Sequence, residues 1–285
     1  MKKSQIALII AVVAIMGYLF SLKPVALIKP KETRSSAGAN VTEAKAATAT
    51  NINVEYVSVA AKQAIGNNLA GEIGALEANL KTAGNDADKL KLEKQLAQKW
   101  DDVNQPAPGA FYYQAIARSE NTYQNWINAG DRFNDAYKAG VDTLAQPVYV
   151  TNAVEAFENA AKLNPDGLDA KTGLGIAYVN GGAPSPMQGI ALLLEVIKKD
   201  PGNRKASLNL GLFAMKSGQY EKAVERFKGM ITQKQEVEPY FYLAESYKQL
   251  GMKKEAIEAY QNCKTLLPDP AFGQRIDEFI KELKN

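Results

Sequence analysis

A pattern that occurs three times, at intervals of 36 and 33 residues, most constrains the fold of this chain. In each copy a leucine precedes a small residue, and an apolar residue or tyrosine follows three positions later: Leu174-Gly175-Tyr178, Leu210-Gly211-Ala214 and Leu243-Ala244-Tyr247. Later in each copy, apolar residues follow a small residue after four and seven positions: Gly189-Leu193-Val196, Ala223-Phe227-Met230 and Ala256-Tyr260-Cys263. Spacings of three and four place side chains on one helical face. The pattern therefore predicts pairs of packed helices, stacked in series.

These segments resemble the tetratricopeptide repeat, whose helices carry Leu-Gly-x-x-Tyr and then Ala-x-x-x-Phe-x-x-Ala followed by proline. The resemblance covers residues 166–268, with Pro201 and Pro268 at the closing position. An earlier copy ends in "AVEAFENAAKLNP", and its first helix would carry Trp126, Gly130 and Phe133. About eleven extra residues around Gln146-Pro147 separate the two halves of this copy. The resemblance implies an all-α, right-handed solenoid, with TPR-like repeats over residues 123–268.

Helical segments extend the solenoid at both ends. Residues 54–122 are predicted to form a helical hairpin or a degenerate repeat, with helices over Val54–Ala83 and Asp86–Val103 separated at Gly84-Asn85. At the other end, residues 269–285 are predicted to be a C-terminal capping helix. Its apolar face consists of Phe272, Ile276, Phe279, Ile280 and Leu283. Such a helix is needed because the last repeat otherwise exposes an apolar side to water.

The N-terminus contains an uncharged run from Ile6 to Leu22, preceded by Lys2 and Lys3. As a helix this run is about 25 Å long, which is just enough to cross a bilayer. Because no small-residue cleavage site follows, residues 1–29 are predicted to be a single-pass transmembrane anchor, with a cleaved signal sequence and an amphipathic docking helix as alternatives. Residues 30–53 have few large apolar side chains and are predicted to be a flexible linker.

The orientation of the anchor is finely balanced, because basic residues flank the apolar run on both sides. The very short basic leader favours a signal-anchor, with most of the chain outside the cytoplasm. We therefore expect the protein in a bacterial inner membrane, with its soluble part in the periplasm.

Composition argues against most catalytic chemistry. The chain contains no histidine and a single cysteine, Cys263, which excludes Ser-His-Asp triads, Cys/His zinc sites and intramolecular disulfides. Its net charge of +3 and the lack of a basic block with interleaved aromatics make nucleic acid an unexpected partner. The glycines of "GLGIAY" at 173–178 follow no strand and are explained by helix packing. We predict no enzymatic activity, no cofactor and no metal site.

The resemblance also implies a concave surface, formed mainly by the first helix of each repeat. Its polar clamp for a C-terminal carboxylate is not expected here, since Thr172, Ile176, Glu238 and Tyr242 stand where cationic or amide side chains are needed. The inner positions are instead apolar, and an amphipathic helix or an extended apolar peptide is the predicted ligand. The candidate binding residues are Ile176, Val179, Leu208, Leu212, Met215 and Phe241. Alternatively, the capping helix, the 54–103 hairpin or a second copy of the chain fills this strip.

Together these features predict a non-catalytic, membrane-anchored scaffold or adaptor that holds partner proteins in the cell envelope. Two alternatives are a self-assembling structural protein and an accessory subunit of an envelope transport or biogenesis complex.

Overall fold

The computed structural model describes residues 51–181 and 185–284. The predicted membrane anchor and nearly all of the predicted linker lie outside these residues. Within the described ranges, no helix is both long enough and apolar enough to span a membrane.

The described residues form thirteen α-helices joined by short turns. The first five are α1 (Val54–Gln63), α2 (Asn67–Thr82), α3 (Asp86–Asp102), α4 (Pro106–Glu120) and α5 (Tyr123–Ala139). They are followed by α6 (Gln146–Leu163), α7 (Leu168–Val179), α8 (Pro186–Lys199), α9 (Arg204–Lys216) and α10 (Tyr220–Gln233). The last three are α11 (Val237–Gln249), α12 (Lys253–Leu266) and α13 (Pro270–Lys284).

Local sequence signals define the ends of the repeat helices. The side chains of Asn85, Thr122 and Asn203 accept hydrogen bonds from backbone N–H groups three residues later, which caps α3, α5 and α9. Gly218 and Gly251, 33 residues apart, have φ angles of 74° and 73° and follow α9 and α11 closely. The left-handed backbone at these two turns favours glycine.

Consecutive helices pack against each other, and the pairs stack in series. The first helices of successive repeats also meet, in the contacts α5–α7, α7–α9 and α9–α11. Small residues make the close approach possible: a Cβ atom added to Gly211 of α9 would lie 2.6 Å from a ring carbon of Phe227 in α10. Phe157 of α6 occupies the corresponding space beside Gly130 and Gly173. The predicted pairing of small and large residues is therefore the packing that joins the helices.

The predicted capping helix is present as α13. Its side chains Ile276, Ile280 and Leu283 are buried, and Phe272 and Phe279 pack beside the same core cluster. This helix covers the apolar side of the last repeat.

The prediction of one continuous helix over Val54–Ala83 is wrong. The structure ends α1 at Gln63 and begins α2 at Asn67, with Gly66 in an extended conformation at the N-cap of α2. The break lets α1 contact α4 as well as α2. The predicted separation at Gly84-Asn85 is confirmed, because α3 begins directly after Asn85.

Candidate functional site

A pocket opens between the first helices of three successive repeats, α5, α7 and α9. Its volume is about 340 Å³. The side chains that line it are Asp131, Arg132, Asn134, Asp135, Tyr137 and Lys138 of α5, Ile176 of α7, Asn180 just after it, and Lys205, Leu208, Asn209, Leu212 and Phe213 of α9. We call this feature the α5–α9 pocket.

The apolar part of the α5–α9 pocket belongs to α7 and α9. Leu208, Leu212 and Phe213 are half-buried and leave part of their side chains exposed. Ile176 is 6% exposed and also belongs to a core cluster with Leu193, so it contributes only its edge to the pocket. A ligand that buries apolar side chains would therefore contact α9 above all.

Charged side chains of α5 form the opposite wall. Asp131 forms an ion pair with Lys205 of α9, which connects the two sides of the pocket. Asn134 is buried and donates a hydrogen bond of 3.2 Å to the carbonyl oxygen of Gly173 in α7. These contacts hold α5, α7 and α9 in a fixed arrangement around the opening.

Arg132 anchors this wall to the preceding repeat. Its Nε and Nη2 atoms donate to the two carboxylate oxygens of Asp101, each at 2.7 Å. Tyr113 donates to the same carboxylate at 2.7 Å, and the guanidinium group lies 5.5 Å from the centre of its ring. Bidentate pairing of this kind fixes geometry as well as charge.

Asp135 has a carboxyl group whose pKa is raised above its ordinary value. Desolvation is the main cause, and the nearby charge of Asp131 adds to it, whereas Arg132 at 3.5 Å opposes the shift. The Asp135 side chain is 55% exposed, so water screens these effects and the shift has little influence on stability.

The structure brings only part of the predicted binding strip together. Ile176, Leu208 and Leu212 line the α5–α9 pocket. Val179 is directed at α8, because a Cβ atom added to Gly189 would lie 2.8 Å from its Cγ2 atom. Met215 is half-buried beside the C-terminal core cluster.

Phe241 lies in an aromatic group at the C-terminal end of the solenoid. Its ring centre is 5.9 Å from that of Phe279 in the capping helix and 5.9 Å from that of Tyr260 in α12. The capping helix therefore contacts this end of the predicted strip, as one of the alternatives anticipated.

Sequence reasoning did not identify the charged wall on α5, and it did not identify Phe213 as a residue that lines the pocket. The sequence places Gly130 in this helix, and Phe157 lies beside it as Phe227 lies beside Gly211. The extra residues before α6 depart from the repeat pattern, so the remaining inner positions of α5 could not be assigned.

No cluster of three or more His, Cys, Asp or Glu side chains able to hold a metal ion occurs among the described residues. Cys263 is buried, and this burial raises the pKa of its thiol to about 12. A thiol of this kind packs as an apolar side chain.

Family models place two matches on the second half of the solenoid. Models described as tetratricopeptide repeat match residues 185–237 and 240–269, which cover α8 to α12. Residues 185–237 and 240–269 are therefore tetratricopeptide repeats (TPR). No curated protein matches the sequence.

Solved TPR structures resemble the chain at low sequence identity. TTC0263, a thermophilic TPR protein of Thermus thermophilus, is 16% identical, with a TM-score of 0.52 over 66% of this chain and 97% of its own. MamA is 17% identical, with a TM-score of 0.43 over 64% and 93% of the two chains. YrrB, a TPR protein with an unusual peptide-binding site, is 14% identical, with a TM-score of 0.41 over 72% and 98%. The first of these likenesses supports the all-helical TPR solenoid.

Proposed function

We propose that this TPR protein is a non-catalytic scaffold that holds partner proteins at a bacterial envelope membrane. TPR proteins generally mediate protein–protein interactions, and the proposal assigns this role to the α5–α9 pocket. A single observation carries it: the pocket combines an apolar wall on α9 with a charged wall on α5. This combination suits an amphipathic helix or peptide, because one face of such a ligand is apolar and the other polar.

The proposal includes a membrane anchor at residues 1–29 and a flexible linker at 30–53, with the solenoid in the periplasm. The uncharged run from Ile6 to Leu22 and its basic flanks support it. Alkaline carbonate extraction of native membranes tests the anchor, since an integral protein stays in the pellet. A C-terminal alkaline phosphatase fusion tests the orientation, because this enzyme is active only outside the cytoplasm. Release of the protein by carbonate would contradict the membrane anchor. An inactive fusion would contradict the periplasmic location of the solenoid.

The pocket is tested by affinity capture from native membranes, using three variants of the full chain. Leu212→Glu places a charge on the apolar wall, and Lys138→Glu reverses an exposed charge on the opposite wall. Leu163→Glu makes the same type of change at a side chain that is 45% exposed outside the pocket. A partner that binds in the pocket should be captured by the Leu163→Glu variant but not by the Leu212→Glu or Lys138→Glu variant.

The variants also separate binding from folding. Lys138 is exposed, so its substitution leaves the core packing intact, and circular dichroism and thermal unfolding check this directly. A partner captured equally by all three variants would exclude the α5–α9 pocket as the recruitment site.

A further inference from the structure

A second cleft lies at the junction of α8, α9 and α10, and it is not part of the α5–α9 pocket. Its volume is about 300 Å³. Its lining includes Leu194, Leu210, Phe213, Lys222 and Arg226. We call it the α8–α10 cleft. Only Phe213 is shared with the α5–α9 pocket.

The floor of the α8–α10 cleft is apolar and partly open to water. Leu194 lines this opening and is 44% exposed to water. Met187, near the start of the same helix, is 70% exposed. Leu210 is 7% exposed and closes the bottom of the cleft. An apolar side chain inserted here would remove Leu194 from water, which is favourable because it buries apolar surface.

Two cations stand on one edge of the cleft without an acidic partner. Lys222 and Arg226 line the cleft and take part in no ion pair among residues 51–181 and 185–284. Lys222 donates to the Gln219 side chain at 2.6 Å, and Gln219 donates to Ser217 at 2.7 Å. These contacts are neutral and position the ammonium group.

The charges of α10 are arranged by face. Glu221 and Glu225 each precede one of the two cations by one residue, about 100° around the helix, on the side opposite to buried Ala223 and Phe227. The cleft is lined by the two cations and by neither of these glutamates, although Glu225 is only about 60° around the helix from Lys222. Lys222 and Arg226 are four residues apart, which corresponds to about 6 Å along the helix axis.

We propose that the α8–α10 cleft binds an acidic amphipathic helix of a partner protein. An apolar side chain of that helix enters the cleft between Leu194 and Phe213, and carboxylates four residues apart contact Lys222 and Arg226. Charge complementarity favours this ligand: the cleft has an apolar floor and two cations that form no ion pair among the described residues, and the ligand supplies an apolar face and the opposite charge. The site goes beyond the proposed function of the α5–α9 pocket, because a different surface of α9 forms it.

The test uses two synthetic fluorescein-labelled helices and the full chain in a neutral detergent. One helix carries leucines on one face and glutamates at i, i+4 beside them, and the other replaces those glutamates by lysines. Fluorescence anisotropy measures the affinity of each. We expect saturable binding of the glutamate helix and at least tenfold weaker binding of the lysine helix, an effect of about the size of two charge contacts.

Matched variants locate the binding. Lys222→Glu with Arg226→Glu is expected to weaken the glutamate helix about tenfold or more, and Leu194→Ser is expected to weaken it as well. Lys253→Glu with Lys254→Glu changes the net charge equally at exposed positions of α12 and is expected to have no effect. Leu212→Glu in the α5–α9 pocket should also leave binding unchanged, so the two proposals fail separately.

Three results would overturn the proposal. In the first, the glutamate helix shows no saturable binding to the native protein. In the second, it binds the native protein and the Lys222→Glu, Arg226→Glu variant equally well. In the third, concentration-dependent mass measurements show a dimer that the variant no longer forms, because a second copy then occupies the cleft.

Discussion

Gly175 of α7 and Gly189 of α8 lie backbone against backbone. A Cβ atom added to Gly175 would be 2.9 Å from the carbonyl oxygen of Gly189, and one added to Gly189 would overlap the carbonyl oxygen of Gly175. The second helix of a TPR usually has alanine where this chain has Gly189. The two glycines thus let α7 and α8 approach more closely than an alanine at either position allows.

Gly189→Ala is therefore expected to destabilise the protein, although alanine is the better helix former. The added methyl group meets backbone atoms that cannot rotate away, so we expect a loss of about 1–3 kcal/mol, which is typical of overpacking. Gly229 of α10 provides the matched control, since no atom lies within 4 Å of an added Cβ. Gly229→Ala should stabilise by about 0.5–1 kcal/mol. Urea unfolding followed by circular dichroism measures both, and equal effects of the two substitutions would contradict this account.

Phe279→Ala is expected to loosen the capping helix. The Phe279 ring stacks on Tyr260 at 5.6 Å and meets the edge of Phe241 at 5.9 Å. Because the side chain is only partly buried, we expect a loss of about 2–3 kcal/mol, below that of a fully buried phenylalanine. Relative to the native protein, the variant should show faster amide hydrogen exchange in α12 and α13, and little change in α5 and α6.

Leu267→Ala is the control for the capping helix. Leu267 lies just before α13 and is 42% exposed. Its substitution should change the unfolding free energy by less than about 0.5 kcal/mol. A comparable loss from both substitutions would mean that the aromatic contacts of Phe279 do not hold α13.

Cys263 is expected to be unreactive in the folded protein. Burial raises the pKa of its thiol to about 12, so almost no thiolate exists at pH 8, whereas an unfolded cysteine has a pKa of about 8.5. A colourimetric thiol reagent should label the native protein only as it unfolds, and should label one thiol at once in guanidinium chloride. Rapid labelling of the native protein would show that α12 opens locally.

The repeat region could be predicted because its packing is local in sequence. Gly211 and Phe227 are sixteen residues apart, and their contact follows from the spacing of small and large residues. The break at Gly66 could not, because α1 packs against α4, about fifty residues farther along the chain, and no short-range pattern records that contact. Helix composition alone favoured a continuous helix there.

The candidate site also contains residues that the sequence predicts and contacts that it does not. Leu208 and Leu212 follow from repeat positions, and the structure places both in the α5–α9 pocket. The ion pair of Asp131 with Lys205 joins residues 74 positions apart, so it depends on how the helices stack in three dimensions. Phe241 occupies an inner repeat position, but the capping helix contacts it because no further repeat follows α12.

Asp135→Asn is expected to stabilise the protein at neutral pH. Partial burial and the neighbouring charge of Asp131 raise the pKa of the Asp135 carboxyl group in the folded state, so the folded protein holds this proton more tightly than the unfolded chain does. The native protein therefore loses stability as the pH rises from about 3.9, the ordinary value, through the folded-state pKa. The amide variant lacks this loss. Because the Asp135 side chain is 55% exposed and water screens its interactions, the melting temperature of the variant should exceed that of the native protein by only a small margin at pH 7 and match it near pH 3.

Asp166→Asn removes an exposed carboxylate elsewhere on the solenoid and controls for the change in net charge. Differential scanning calorimetry of the three proteins between pH 3 and pH 7 measures the effect directly. If Asp135→Asn lowers the melting temperature at pH 7, the attraction between Asp135 and Arg132 outweighs burial and the charge of Asp131. In that case the carboxylate holds the α5 wall together. A rise that Asp166→Asn does not reproduce would show that the charge of Asp135 lowers the stability of the folded protein at pH 7.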